Sequence, residues 1–241
     1  MDIRLALMAG TDIPIPELEM AIHQPSLKEI SYIGEADFFN GVQCLCLYKS
    51  MFIQDKEGLE DITNFQIFMT VMTSRETIDK KIATTQVLQL LCPGYNILFT
   101  PMSIVLQKND KTIMIDESNF DALQEILRSV FCAKDGPMDQ QAFNPANEKA
   151  KEIADKLMRG RQRVAAQKGG SNTSVFMKYI SILTVGLSSM SLNDLTNLTM
   201  FQLYDLIERY TLYLNWDIDV RARLAGAKPD SQPDNWMKDI H

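Results

Sequence analysis

Apolar residues recur at helical spacing through the last third of the chain. Met200, Leu203, Tyr204, Ile207, Tyr210, Leu214 and Ile218 fall on one side of a single long helix. Thr199 and Gln202 form a capping box that opens it, and Gly226 stands where it should stop, just past Ala225. Pro229 and Pro233 then hold the closing stretch, with Trp236 and Met237, in an extended form. Upstream, Ser191 and Asp194 start a short helix through Leu198, and Val175–Leu187 reads as an apolar helix. The last third is thus predicted to be all helical.

The first half carries a mixed pattern. Ile97–Thr100, Ser103–Gln107 and Thr112–Ile115 are β-prone runs, the last two joined by the Asn109-Asp110 turn. Ile3–Met8 with the proline-stiffened Ile13–Pro16 predicts a small hairpin or edge strand. Short helices are predicted from Pro25-Ser26 through Ile30 and over Glu35–Phe39, the second ending at Asn40-Gly41. Val42–Tyr48 and Phe65–Val71 are apolar enough to be either strands or buried helical segments. Thr77–Leu91 has helical periodicity through Ile78, Ile82, Val87, Leu88 and Leu91, and Ser118 is predicted to cap a helix that ends before Gly136-Pro137. These elements make residues 1–135 a mixed α+β domain of a few strands and about four helices, so the fold class is α+β.

Between the two lies a segment of different character. Asn144-Pro145 opens a predicted helix whose small or apolar positions Ala146, Ala150, Ile153, Leu157, Gly160 and Val164 step by 4, 3, 4, 3, 4, a heptad spacing. The stripe is narrow and the other faces are charged, so such a helix is expected to dock on something else. Arg159, Arg161 and Arg163 gather towards its end. They read either as a dipole-matched, solvated helix terminus or as an acid-seeking or nucleic-acid-contacting patch. The Gly169-Gly170-Ser171-Asn172-Thr173-Ser174 joint follows. The predicted organisation is therefore 1–135, a connecting region 136–174, and a helical subdomain 175–241 with an extended tail.

Charge follows the same division. Residues 1–143 hold 11 basic and 20 acidic side chains, residues 144–170 hold 7 and 3, and residues 171–241 hold 6 and 8. A total of −7 over 241 residues disfavours a general nucleic-acid binder, which needs a basic footprint. The N-terminal run is too short for a secretory signal, and no window is apolar enough to span a bilayer, which predicts a cytosolic protein.

The search for chemistry returns little. Phosphate-binding glycine loops, nucleophile elbows and zinc-protease motifs are absent from the sequence. Two histidines, His23 and His241, and four cysteines, Cys44, Cys46, Cys92 and Cys132, fall into no ligand spacing, and the cysteines read as reduced core thiols. No catalytic, cofactor-binding or metal residue is predicted, and the expectation is a non-enzymatic interaction protein. Its candidate partner-binding residues are Ile153, Leu157, Arg159, Arg161, Arg163, Trp236 and Met237. Trp236 has two readings: an anchor for a partner's groove, since Trp is a frequent hot-spot residue, or a dock onto the long helix of its own chain.

Three blocks of the sequence resemble proteins of the tail-morphogenesis modules of tailed bacteriophages and of prophages of Gram-positive bacteria. They are IHQPSLKEISYIGE, FNPANEKAKEIADKLMRGRQRVAA and the ending from Leu198, LTMFQLYDLIERYTLYLNWDIDVRARLAGAKPDSQPDNWMKDIH, of which LAGAKPD and PDNWMKDIH are most specific. Within that group the chain is similar to tail assembly chaperones. The resemblance implies binding to tape-measure and tail-tube proteins, a place in the host bacterial cytoplasm, no cofactor and no catalytic residue, with self-association left open. Two alternatives stand beside it. One is a virion component such as a connector, tail terminator or baseplate protein, retained in the particle. The other is a phage protein that binds a host factor.

Overall fold

A computed structural model of the chain describes residues 2–48, 62–133, 174–226 and 235–238. The first segment is a helix, α1 (Ile3–Ala9), because Asp2 accepts the backbone N–H groups of Arg4 and Leu5 at 3.0 and 3.3 Å. That local cap overrides the strand reading of Ile3–Met8. Gly10 closes the helix at φ 65°. The hairpin pairs downstream instead: β1 (Ile13–Ile15) lies antiparallel to β2 (Met20–Ile22), with Ile13 opposite Ile22 and Ile15 opposite Met20. All four of these side chains are buried on one face, as the period of two requires.

Next come α2 (Leu27–Ile33), opened by a Ser26/Glu29 capping box, and α3 (Glu35–Leu45). The predicted stop at Asn40-Gly41 does not occur. Gly41 sits inside α3, where a β-carbon would lie 2.6 Å from the Ala83 carbonyl oxygen and 2.7 Å from the Val87 side chain. The glycine therefore serves the close approach of α5 (Ile78–Leu91) rather than a turn. The second half of α3 is also the answer for Val42–Tyr48: a buried helical segment, not a strand. Phe65–Val71 resolves the same way, inside α4 (Asn64–Thr73).

After α5 the chain forms a meander of β3 (Asn96–Phe99), β4 (Ile104–Lys108) and β5 (Lys111–Ile115), with Leu106 paired to both Ile97 and Ile113. The strand expectations hold here to within a residue or two. The cap position of helix α6 (Phe120–Val130) falls at Asn119, one residue later than predicted. Ser118 is otherwise engaged, donating its backbone N–H to Asp116 Oδ1 at 2.9 Å. Ile78 and Ile82, counted with the apolar side of α5, are exposed; Val87, Leu88 and Leu91 are the buried ones.

The last third is helical as predicted: α7 (Val175–Gly186), α8 (Leu192–Thr196) and α9 (Met200–Leu224). Both predicted boxes are present, Ser191 with Asp194 and Thr199 with Gln202. The described residues are thus mixed α+β, with two small antiparallel sheets and nine α-helices, six of them ahead of residue 135 rather than four. The largest fully buried side chains are Phe38, Phe68, Phe120 and Phe131. Their ring contacts, Phe68–Phe120 at 5.0 Å and Phe38–Phe131 at 5.5 Å, mark the core between α3, α4 and α6.

Candidate interaction surface

Among the described residues, contacts at several places stitch the helices of the last third to the first part. Glu35, in the first turn of α3, reaches across to the start of α7, bonding the Ser174 hydroxyl and accepting the Val175 N–H at 2.6 Å. A carboxylate is well suited to a helix N-terminus, where free N–H groups point outward. Phe176 then packs beside Phe38 and Phe39, at 6.3 and 5.3 Å between ring centres. Ser26 bridges Thr199 in antiparallel fashion, and the Leu27 N–H donates to the Leu198 carbonyl at 2.9 Å. Finally, the Gln202 amide donates to the Met8 carbonyl at 2.7 Å. Within the region, α7 crosses α9 at Gly186, where a β-carbon would sit 2.1 Å from the Tyr210 hydroxyl.

This stitching covers only the start of α9. At 1.5 Å per residue its 25 residues span about 37 Å. Met200, Phe201 and Leu203 are buried, and Tyr204, Ile207 and Tyr210 are half-buried against the core. From Thr211 onward no described side chain is fully buried. The apolar stripe nevertheless continues: Leu214 is 36% and Ile218 63% exposed on the side that Leu203 and Ile207 present to the core. Asp217–Arg221 at 2.8 Å and Asp219–Arg223 at 3.0 Å are i, i+4 ion pairs that hold the helical form of this overhanging half.

A different face of α9 receives the tail. Arg209 donates to the carbonyls of Trp236 and Lys238 at 2.8 and 2.7 Å. The Trp236 indole stands edge-on to Tyr213 at 5.6 Å and near Trp216 at 6.3 Å. Trp236 is half-buried there, while Met237 is 68% exposed. Of the two readings of Trp236, the geometry is that of a dock on its own helix. Ile153, Leu157, Arg159, Arg161 and Arg163 lie outside the described residues. Arg209, Tyr213 and Trp216 were not among the sequence candidates, yet their steps of four and three mark one helical face and would have given them away.

Among the described residues, three of the four cysteines are buried. Burial pushes the Cys46 and Cys92 thiols up to about 12, which keeps both protonated, and burial also raises Cys44. Tyr204 is likewise pushed up to about 12, by burial first and then by Tyr179, Cys132 and Glu35 around it. Among the described residues no group of three or more His, Cys, Asp or Glu side chains is arranged to hold a metal ion. No described helix is long and apolar enough to cross a membrane. An open cleft of about 400 Å³ lies between the β1–β2 hairpin and Tyr95, but the Lys111 ammonium at its rim is already committed to the Glu19 carbonyl at 2.6 Å.

Residues 172–241 match the family model described as the YomV second domain, a phage-derived domain. The match takes in α7, α8, α9 and the tail, so it falls on the region that forms this surface. No curated protein and no solved structure matches the chain. The similarity supports a phage-associated protein.

Proposed function

We propose that the chain is a non-enzymatic phage tail-morphogenesis protein that acts as a tail assembly chaperone in the host cytoplasm, holding the tape-measure and tail-tube proteins before assembly. The observation that carries this reading is the overhanging half of α9. Its Leu214 and Ile218 extend an apolar stripe beyond the core that accounts for its first half. An amphipathic helix with an uncovered apolar face is one of the standard ways a protein takes hold of a partner helix. The similarity of residues 172–241 to a phage-derived domain adds support from an independent direction. The heptad residues Ile153 and Leu157, with Arg159, Arg161 and Arg163 beyond them, are the second half of the proposed surface, and exposed Met237 supplies an adaptable apolar contact beside α9.

The test is co-purification from infected or induced cells. Leu214→Asp with Ile218→Asp changes two side chains that the fold does not bury, so the variant stays folded and loses the tape-measure protein. Ile153→Asp with Leu157→Asp is expected to do the same. Retention of the partner by both double variants would sink the assignment. Mass spectrometry of purified particles separates the chaperone from a virion component: a chaperone is absent from the particle, and a connector, terminator or baseplate protein is present in fixed proportion.

A further inference from the structure

His23 occupies an unusual electrostatic position. Its Nδ1 is 3.1 Å from Asp12 Oδ1, and its Nε2 is 3.3 Å from both Glu29 carboxylate oxygens. Asp12 faces the ring from the loop between α1 and β1, and Glu29 faces it from α2. Helix α5 meets this residue through the Leu91 carbonyl, which accepts the His23 backbone N–H at 2.8 Å. A carboxylate can only accept, so both ring nitrogens must donate for both contacts to be favourable. That state is the imidazolium. A neutral ring has a single N–H, and its other nitrogen would set a lone pair against a carboxylate.

The consequence reaches beyond the ring because of what Glu29 does with its remaining capacity. The same carboxylate accepts the Ser26 N–H at 2.8 Å and the Ser26 hydroxyl at 2.6 Å. Ser26 is the residue that bridges Thr199, and its neighbour Leu27 donates to Leu198. On the other side, Asp12 follows Thr11, whose carbonyl accepts the buried Gln24 amide at 2.6 Å, and Gln24 also binds the Ala6 carbonyl of α1. Helix α1 in turn meets α9 through Met8 and Gln202. His23 therefore stands between two chains of hydrogen bonds, both of which end at the start of α9.

We propose that His23 is a proton-dependent fastener of the seam that joins the C-terminal helices to the rest of the chain. In its charged form it holds Glu29 and Asp12 in place, and with them the Ser26–Thr199 joint. Loss of the proton leaves one contact repulsive and loosens that joint. Burial by itself would lower the pKa of His23, but the hydrogen bonds and charges of Asp12 and Glu29 outweigh it, and the net shift is upward from 6.5. Glu29 moves the opposite way: burial would raise it, and the Ser26 and His23 contacts bring it below its ordinary value. A histidine whose folded pKa is raised adds stability that is complete below its unfolded pKa and is lost as pH rises through the folded one. The seam is therefore tightest in mildly acidic solution and loosens above pH 6.5.

The test uses the full chain and nuclear magnetic resonance. With two histidines in the sequence, the ring signals are assigned by a single His241→Gln variant. The His23 titration midpoint is expected above the ordinary histidine value, and lower in both Asp12→Asn and Glu29→Gln. The glutamine keeps the capping geometry of Glu29 while removing its charge. Amide exchange of Leu27 is then compared between wild type and His23→Gln at each pH. Leu27 is not adjacent to residue 23, so the intrinsic rate cancels in the ratio. Protection is expected to be several-fold greater in wild type at pH below 6.5, with the two proteins converging as His23 loses its proton. A ratio that stays constant through the titration overturns the proposal, as does a midpoint that neither carboxylate substitution moves.

Discussion

The two ends of the molecule bury apolar surface in opposite ways. The part ahead of residue 135 supplies most of a single core, in which Phe38, Phe68, Phe120 and Phe131 are fully enclosed and both small sheets turn one face inward. The region from Ser174 buries chiefly Phe176, Leu183, Leu195, Met200, Phe201 and Leu203, and Phe176 lies against Phe38 and Phe39 of the first part. Its helices have sound caps and ion pairs, yet local hydrogen bonds alone rarely hold a short helical unit together in water. The C-terminal helices are thus organised by docking. Where the docking surface ends, near Tyr210, α9 goes on with its stripe uncovered. Beyond that point Ile218 is 63% and Leu214 36% exposed, against the full burial of Leu203 at the start of the helix.

Damage to the core ahead of residue 135 is therefore expected to propagate, and damage within the C-terminal helices to stay local. Phe68→Ala opens a cavity between α4 and α6, away from the seam, and is expected to cost about 3–5 kcal/mol. Denaturant unfolding followed by circular dichroism should show both regions lost together. Loss of β-structure alone, with α7–α9 still helical, would mean that the C-terminal helices fold independently. Gly186→Ala acts in the other direction. The new methyl collides with the Tyr210 ring, and overpacking of this kind costs about 1–3 kcal/mol. Amide exchange is expected to rise in α7 and α9 while β3–β5 stay protected. Combining it with Tyr210→Ala vacates the space, so the double variant should be less damaged than the sum of the two single ones.

What was legible in the sequence and what was not divides along the same line between local and distant interactions. The Thr199/Gln202 and Ser191/Asp194 boxes were visible because cap and helix are neighbours in the chain, and the β3–β5 meander because its runs alternate around short turns. Gly41 misled because its reason lies in Ala83, on another helix. The cap at Asp2 was overlooked because the prolines at 14 and 16 drew the whole N-terminus towards an extended reading. The tie from Glu35 to Ser174 spans some 140 residues and leaves no trace in the pattern of either segment. The candidate surface was half legible. Its stripe on α9 was visible in the periodicity, but periodicity does not say where along the helix burial ends, which here is beyond Tyr210.

Smaller effects probe the seam and the tail. Thr199→Ala removes the hydroxyl that accepts the Gln202 N–H at 3.3 Å, and loss of such a cap costs about 1 kcal/mol. Because Thr199 is also the residue that faces Ser26, its loss is expected to raise exchange at Leu27 as well as at the start of α9. An increase confined to α9 would separate the cap from the seam.

Trp236→Ala is expected to have a similarly small effect on stability, about 0.5–1.5 kcal/mol, since the indole is only half-buried and its gain comes from an edge contact with Tyr213 and a tilted one with Trp216. Its value lies in the readout. The chain has two tryptophans, so the variant reports Trp216 alone. If Trp236 covers Trp216 in solution, removing it exposes the remaining indole, and its emission should shift to longer wavelength and quench more readily. Arg209→Ala should reproduce part of that shift by releasing the Trp236 and Lys238 carbonyls without touching either ring. An unchanged spectrum in both variants would place the tail away from α9. The indole would then be free, and the anchor reading of Trp236 would replace the intramolecular one: the tail, and not only the overhanging stripe, would be what this region offers to a partner.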